Sequence, residues 1–577
     1  MLNPQEEVTS ESEEAPLQQG TQTPNLQDEV TSDSQPEIVP VPKAKAKPKP
    51  KQPKRKQLKR RRRIQALEPV ARHTEETSSS GSIETKRLRA ARAKWNTAST
   101  STQTQAAEVT ITSESDSEAM QSMQFEAGCS TRPVTSGLFD FCDYIVQHIL
   151  DEDGQTQIIK KPYCYMDFCA GLGTSVICTE AVRRSLQTVG KELDATCVCL
   201  TEKCPKKLAV LKRYNSGATI FADTTAAAED LPRDCDGKCV ERPCTDILFQ
   251  GIVCVDISSL SSTPKSLLNK HGKSGQAWES TLTYLRKTPY EHRPKAMVLE
   301  CVSNLSKRRA VDKCLKRGTE QVSEQLQEFG YVGRFVEVSS HKFFLPHHRP
   351  RVWGLFLKLS CGLGPKAVSE REAKVEKAFD FVSRCQLDSY EPLSDVLRRL
   401  RAEGVLGEPA RPVKKLGKIN QHRRTNFMQK HSLTEEDVRV GQTSFTDSFT
   451  DHPRPFLTNR ELDDLWLKLC QMRKRGKIDS WDNGVFVASV GSSADFMTLF
   501  RGRFPCLTPG NKYVILEQGA SHVTNGPMAL AVQGIGGKEV RAFSLHGIDD
   551  STLREMAGNA FTANICCTFL IATLLTI

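Results

Sequence analysis

Cys254 stands where a nucleophile belongs. The run Asp246-Ile-Leu-Phe-Gln-Gly251 reads as a buried strand that breaks at glycine, and the thiol follows in a polar turn that runs on to Ser258. Open α/β sheets bind their ligands at the carboxyl ends of strands, and a thiolate there is a competent nucleophile. Glu300 ends a second apolar run, Ala296–Glu300, and is placed for general acid–base work. Upstream lies Asp167-Phe-Cys-Ala-Gly-Leu-Gly173, with Thr174 and Ser175 after it. Its glycines let backbone approach a ligand closely. Glu202 and Asp223 end the next two strand-like runs, where an acid accepts hydrogen bonds from ribose hydroxyls. This order points to a nucleoside-containing cofactor and a covalent step. These features alone leave open a dinucleotide or S-adenosylmethionine.

The elements that must position these groups follow from periodicity. Strands are predicted at Tyr163–Phe168, Thr196–Leu200, Asp246–Gln250, Ala296–Glu300, Tyr331–Val338 and Val352–Leu357. Helices are predicted between several of them, at Val176–Arg184, Pro205–Tyr214 and Glu320–Phe329, after a leading helix over 136–151. Such alternation predicts an α/β, doubly wound, mostly parallel sheet with helices on both faces. Residues 360–500 hold few strand signals. Thr458-Asn-Arg-Glu461 resembles a capping box, Leu462, Leu465, Trp466, Leu469 and Met472 share one helical face, and Gly476 supplies a stop. The apolar run from Phe561 is short and broken by Thr and Asn, and predicts a buried helix rather than a membrane span.

Charge divides the first 133 residues. Positions 1–42 carry nine acids and no Lys or Arg, whereas 43–63 carry thirteen Lys or Arg and no acid. Few aromatics accompany them, so this tail is predicted to be disordered. The basic run suits an import receptor, hence a nuclear location, and non-specific phosphate contact. The whole chain, 577 residues with a net charge of +11, points to a polyanionic partner. No apolar signal stretch opens the sequence, so its 20 cysteines are read as reduced. Cys235, Cys239 and Cys244 lack a zinc-ligand spacing, and no metal is predicted.

With these residues in order, the chain resembles the cytosine-C5 DNA methyltransferase family over about 160–358 and again over 501–577. Asp167–Ser175 looks like the family's first cofactor motif, and Asp246–Ser258 is similar to its catalytic Pro-Cys loop. Leu299-Glu-Cys-Val302 resembles its Glu-Asn-Val motif, and Pro346-His-His-Arg-Pro-Arg-Val352 its Gln-x-Arg-x-Arg motif. Leu507-Thr-Pro-Gly510 with Tyr513, and Met556-Ala-Gly-Asn-Ala-Phe561, resemble the last two. The departures are Val253 for Pro, Val255 for Gln, Cys301 for Asn, His347 for Gln, and Cys169 for Phe, with Phe168 one place earlier.

The resemblance implies a fold of the S-adenosylmethionine-dependent methyltransferase type. Its parts would be a disordered tail (1–133), a catalytic and cofactor-binding domain (134–359), a smaller target-recognition region (360–500), and a segment returning to the catalytic domain (501–577). It implies methyl transfer from S-adenosylmethionine to cytosine C5 in duplex DNA, on a flipped base. Cys254 would add to C6, Glu300 would assist at N3, and Arg349 and Arg351 would hold base, sugar or loop. Cofactor contacts would come from Phe168, Cys169, Ala170, Gly171, Leu172, Gly173, Thr174, Glu202, Asp223, Asn559 and Ala560. The basic stretches Lys414–Lys418, His422-Arg-Arg424 and Arg473-Lys-Arg475 suit DNA phosphates. RNA cytosine methylation and a catalytically impaired nucleic-acid-binding relative are the competing readings.

Overall fold

Strands buried on both faces are continuous apolar runs, and the central strands of this chain are of that kind. The computed structural model describes residues 132–577 apart from 216, 259–260, 262–266, 268–271, 308–315, 361–363, 406–420, 440–456, 479–483 and 518–519. The tail, its basic run and Lys414–Lys418 lie outside the described residues. In β1 (Tyr163–Phe168) every residue but Cys164 is buried, and β4 (Ile247–Gly251) is buried up to its terminal glycine. With β2 (Ala195–Thr201), β3 (Thr219–Phe221), β5 (Ala296–Val302), β6 (Tyr331–Ser339) and β7 (Pro350–Lys358) they form one sheet of order β3-β2-β1-β4-β5-β7-β6. Strands β1 to β5 pair in parallel, and only β7 runs antiparallel to its neighbours. The chain winds from β1 to β3 on one side, then crosses to β4 on the other. That switch point, between β1 and β4, opens a crevice at the carboxyl ends of the strands.

Strand alternation sorts the core into two faces. Tyr163, Tyr165, Ile247, Phe249, Ala296, Val298, Trp353 and Leu355 line one face. Met166, Phe168, Leu248, Met297, Leu299, Cys301 and Phe356 line the other. The second face is covered by Trp278, Leu282 and Leu285 of helix Lys273–Lys287, and by Val322 and Leu326 of helix Gly318–Glu328. The first is covered by helix Thr174–Thr188 and the C-terminal helix Ala563–Leu574, which pack against each other. Every residue of Ala563–Leu574 is buried, as a helix that is apolar all round requires. Each of its Leu, Ile and Phe side chains contributes about 1.5–3 kcal/mol by leaving water. Among the described residues no single helix is long and apolar enough to cross a membrane.

A second sheet, of order β11-β10-β8-β9, is built from β8 (Phe486–Ser489), β9 (Leu499–Arg501), β10 (Tyr513–Glu517) and β11 (Ala520–Val523). Val487, Tyr513 and Ile515 face the main core. Phe486, Ala488, Val514 and Leu516 face Leu462, Leu465, Trp466 and Leu469 of helix Asn459–Lys474. The capping box is present: Glu461 N–H donates to Thr458 Oγ1 (3.2 Å), and Thr458 N–H donates to Glu461 Oε2 (2.8 Å).

The packing redraws three expected boundaries. Helices Pro365–Arg384 and Leu393–Ala402 belong to the main core through Val375, Phe379, Phe381, Leu393 and Val396, so 360–500 is not one region. Conversely, β10 and β11 lie in the small sheet, while Phe504, Leu507, Tyr513 and Ile515 already pack into the main core and helix Gly526–Ala531 continues it. The leading helix is also shorter than expected. Helix Leu138–Tyr144 passes into a wider π turn, Ile145–Ile149, and stops where Asp151 caps a new helix by accepting from Gly154 N–H (2.7 Å).

Candidate active site

The glycine loop leaves β1 through two left-handed residues, Cys169 (φ 61°) and Gly171 (φ 59°), and Gly173 (φ 74°) starts helix Thr174–Thr188. A non-glycine residue at such φ is held there by its surroundings. Cys169 N–H donates to Thr201 Oγ1 (2.9 Å), and Ala170 N–H to Thr201 O (2.8 Å). Glu202, just past β2, accepts Gly171 N–H on Oε2 (2.9 Å) and Cys204 N–H on Oε1 (2.8 Å). Asp223, just past β3, accepts Ala226 N–H on Oδ1 (2.9 Å). Below the loop, Ser175 Oγ donates to Asp167 Oδ2 (2.6 Å). Burial pushes the Asp167 carboxyl up to about 7, against the pull of that hydrogen bond.

This cradle fits a nucleoside group. Two acids are fixed at the ends of β2 and β3, beside a loop whose Gly171 has no side chain to fill the space. The 559–561 turn closes the cradle from the other side. A Cβ on Gly171 would lie 3.9 Å from Asn559 O, and one on Gly251 would lie 3.2 Å from Phe561 Cε1.

Cys254 sits three residues beyond Gly251. Ile252 N–H donates to Glu300 O (2.8 Å), which carries the β4–β5 pairing past the glycine. Cys254 O then accepts from Ile257 N–H (2.9 Å) and Ser258 N–H (2.8 Å), making a tight turn. Asp256 and Ser274 exchange two bonds, Ser274 N–H to Asp256 Oδ2 (2.7 Å) and Asp256 N–H to Ser274 Oγ (3.1 Å). These contacts pin the turn to helix Lys273–Lys287 and supply stiffness that Val253 lacks as a replacement for proline. Cys301 is buried, its thiol 3.6 Å from Ile252 O on the same strand ends. Burial, and then the Glu300 charge, push the Cys254 thiol up, while Arg351 and Arg349 pull it down; the net direction is upward.

Glu300 and Arg351 lie on one face of the antiparallel β5–β7 pair, since Glu300 opposes Trp353 and Val302 opposes Arg351. That diagonal brings Arg351 Nε to 3.0 Å from Glu300 Oε1, with both side chains nearly enclosed. Arg351 Nη1 donates to Pro350 O (2.8 Å), and Nη2 lies 3.5 Å from the Cys506 sulfur.

Arg349 behaves differently from the sequence expectation. Its guanidinium is buried and donates to Leu507 O (3.0 Å), Gly558 O (3.3 Å from both Nη1 and Nη2) and Ala560 O (3.0 Å). It therefore ties the end of the β6–β7 link to the two C-terminal motifs, rather than holding base, sugar or loop. His347 assists, accepting Leu507 N–H on Nε2 (3.3 Å). Burial, then Arg349 and Arg351, hold this imidazole well below its usual range, so it is neutral.

Two further expectations change. Phe168 alternates onto the second face of the sheet, where its ring meets Tyr284 edge-on at 5.3 Å in the core. It therefore offers no ring face to a cofactor, and Cys169 occupies the loop position instead. Leu172 and Ala560 are likewise buried, and their carbonyls are occupied: Leu172 O accepts Tyr214 O–H and Ala560 O accepts Arg349. Ala170 and Thr174 are buried, whereas Asn559 is exposed beside Gly171. Among the expected phosphate contacts, Arg424 pairs with Glu435 and Asp463, and Lys474 with Asp437. Sequence reasoning missed Cys506 and the Asp256–Ser274 exchange. For Cys506 the signal was its place directly before Leu507-Thr-Pro-Gly510.

A family model described as C-5 cytosine-specific DNA methylase matches residues 164–496, more than half of the chain. The chain is 24% identical over 474 residues to the DNA (cytosine-5-)-methyltransferase DMT5 of Cryptococcus neoformans var. grubii. That match takes in 77% of this chain but 18% of that protein, so the chain spans less than a fifth of the length of this curated relative. Among solved structures it is similar to S. pombe Dnmt2 methyltransferase, at 13% identity and a TM-score of 0.35, over 72% of this chain and 98% of that one.

Proposed function

Since this chain belongs to the C-5 cytosine-specific DNA methylase family, we propose that it methylates cytosine C5 in duplex DNA through a covalent adduct of Cys254. The observation that carries the reading is the meeting of three groups at the carboxyl ends of β4 and β5 and the start of β7. These are a thiol in a pinned turn, a carboxylate, and an arginine paired with that carboxylate. Cytosine C5 is a poor nucleophile until a group adds at C6. The Cys254 sulfur forms that bond, and the Glu300 carboxyl, paired through Oε1 with Arg351 Nε, holds a proton at N3 as electron density moves into the ring. S-adenosylmethionine, when bound, supplies the methyl group. Glu202 and Asp223 would hold its ribose and adenine ends, and Gly171 and Asn559 would flank it. Loss of the C5 proton to solvent water and departure of the Cys254 thiolate restore the ring, and N3 returns its proton to Glu300.

The reacting atoms of cytosine are inaccessible inside a duplex, so the target base is flipped out to reach Cys254. Arg349 and His347 keep the 504–507 and 558–560 segments in place behind the site. The small sheet and its capped helix serve as the DNA-reading part, and the 43–63 basic run directs the protein to the nucleus.

The test is transfer of labelled methyl groups from S-adenosylmethionine to duplex DNA and to structured RNA, for the native chain and for Cys254→Ser. Label on DNA cytosine C5 that is lost in the variant supports the reading. Label on RNA alone, or no label despite binding of DNA and cofactor, overturns it in favour of the RNA-directed or impaired alternatives.

A further inference from the structure

Arg351 has three guanidinium nitrogens, and each meets a different partner. Nη1 is held by the carbonyl of Pro350 (2.8 Å). Nε and Nη2 form the edge of the fork that a carboxylate commonly grips with both oxygens. Here the two positions are divided: Glu300 Oε1 lies 3.0 Å from Nε, and the Cys506 sulfur lies 3.5 Å from Nη2. A bidentate grip would draw both oxygens of Glu300 onto Arg351. With sulfur at Nη2, a carboxylate oxygen must compete for that position.

We propose that Cys506 is a positioning residue of the methyl-transfer site: its sulfur occupies Nη2 of Arg351, limits Glu300 to a one-oxygen contact with Nε, and so presents Glu300 Oε2 to the base. This rests on the methyl-transfer reading of the site. Three elements fix Cys506 itself. Tyr513 O–H, on β10, donates to Cys506 O (3.0 Å). Arg349 Nη1 lies 4.0 Å from the sulfur and clamps the neighbouring Leu507 O (3.0 Å), and His347 accepts Leu507 N–H (3.3 Å). The sulfur also lies 3.7 Å from Leu507 O, a weak contact that a thiol proton can serve.

The electrostatics agree with the geometry. Burial pushes the Cys506 thiol up, but Arg351 and Arg349 pull it down and prevail over the opposing charge of Glu300, so the net direction is below an ordinary thiol. Cys254 moves the other way under burial and Glu300. The site therefore holds two thiols of opposite tendency. The one pulled down faces the arginines, and the one at the strand-end turn is the nucleophile.

Two measurements on the full-length chain test this. In the first, Cys506 alkylation by iodoacetamide is followed by peptide mass spectrometry from pH 6 to 10, without DNA or cofactor. The midpoint does not depend on accessibility. It is expected below the ordinary thiol value of about 8.5, and about one unit or more higher in Arg351→Gln. Arg351→Lys, which keeps the charge, keeps the low midpoint. Tyr513, His347, Arg349 and Glu300, the other titratable or charged groups around Cys506, are unchanged in all three proteins. A midpoint equal in the native chain and Arg351→Gln overturns the proposal. The second measurement is kinetic. Cys506→Ala is expected to lower kcat about tenfold with KM for DNA within about twofold, since a group acting only in the transition state moves kcat and not uniform binding. Cys506→Asp, which restores an acceptor for Nη2, is expected to recover most of kcat. An unchanged kcat in Cys506→Ala, or a loss that Cys506→Asp does not recover, overturns the proposal. Failure of the methyl-transfer reading itself appears separately, as absence of label in the native chain while the alkylation arm still reports on Arg351 and Cys506.

Discussion

Arg349→Met removes the guanidinium fork while keeping much of the side chain's volume. Leu507 O, Gly558 O and Ala560 O then lose the donors that hold them. Each buried acceptor left without a partner costs about 1–3 kcal/mol. Against this stands relief from burying a cation that has no carboxylate in its hydrogen-bonding shell, which is worth several kcal/mol. Three such acceptors give a gross loss of about 3–9 kcal/mol, which the relief cuts to a net loss of about 3–5 kcal/mol. With an unfolding entropy of ~2.1 cal/mol/K per residue, the roughly 440 residues from 132 onward give about 1 °C per kcal/mol, so the melting transition falls by about 3–5 °C. The 558–560 turn also borders Gly171, so S-adenosylmethionine binding is expected to weaken by about tenfold, equivalent to ~1.4 kcal/mol. Scanning fluorimetry and titration calorimetry on purified protein read both effects. Arg349→Lys, with an ammonium that can reach some of the carbonyls, falls between. A variant that melts within about 1 °C of the native chain yet has lost methyl transfer would refute the clamp, and would place Arg349 on the substrate instead.

Asp167 titrates at about 7 when folded, above its unfolded value. Its contribution to stability is therefore fully present below about pH 4 and is lost as pH rises through about 7, by roughly 4 kcal/mol in all. Asp167→Asn should flatten the stability–pH curve between those limits in urea unfolding. Unchanged slope would show that the carboxyl is not desolvated. Because the Cys254 thiol is raised by burial and by Glu300, kcat/KM should climb with pH through and beyond the ordinary thiol range. Glu300→Gln should move that midpoint down while lowering the plateau, and a midpoint that moves up or stays would contradict the assignment. Gly251→Ala should cost about 1–3 kcal/mol by overpacking against Phe561. Adding Phe561→Leu should return part of that loss in the same melting assay, and a double variant no better than the single one would deny the contact.

The fold class was legible because its strands are short apolar runs bounded by glycine and polar turns. Tyr163–Phe168 and Pro205–Tyr214 lie where periodicity puts them. The packing of helix Pro365–Arg384 was legible too, since Val375, Ala378, Phe379 and Val382 follow the i, i+3, i+4, i+7 spacing of a buried face. It was missed because charged residues surround that stripe. The small sheet was hidden by strands of three to five residues, too short to show a period. Cys254 and Glu300 stood out because one follows and the other closes a short apolar run in the sequence. Arg349's partners did not, because backbone carbonyls occur at every residue and only the fold selects three of them. Phe168 misled for a local reason: strand alternation, not proximity to the glycines, decides which way its ring points.

Duplex DNA carrying 5-fluorocytosine at its cytosine positions tests the central claim most directly. Fluorine does not leave C5 as a cation, so an adduct formed at C6 persists after methyl transfer. Incubated with S-adenosylmethionine and this DNA, the full-length chain should form a covalent protein–DNA complex. Peptide mapping should place the link on Cys254, and Cys254→Ala should abolish it. Absence of a complex with DNA that binds, or a link that maps to Cys506 instead, would contradict Cys254 as the nucleophile.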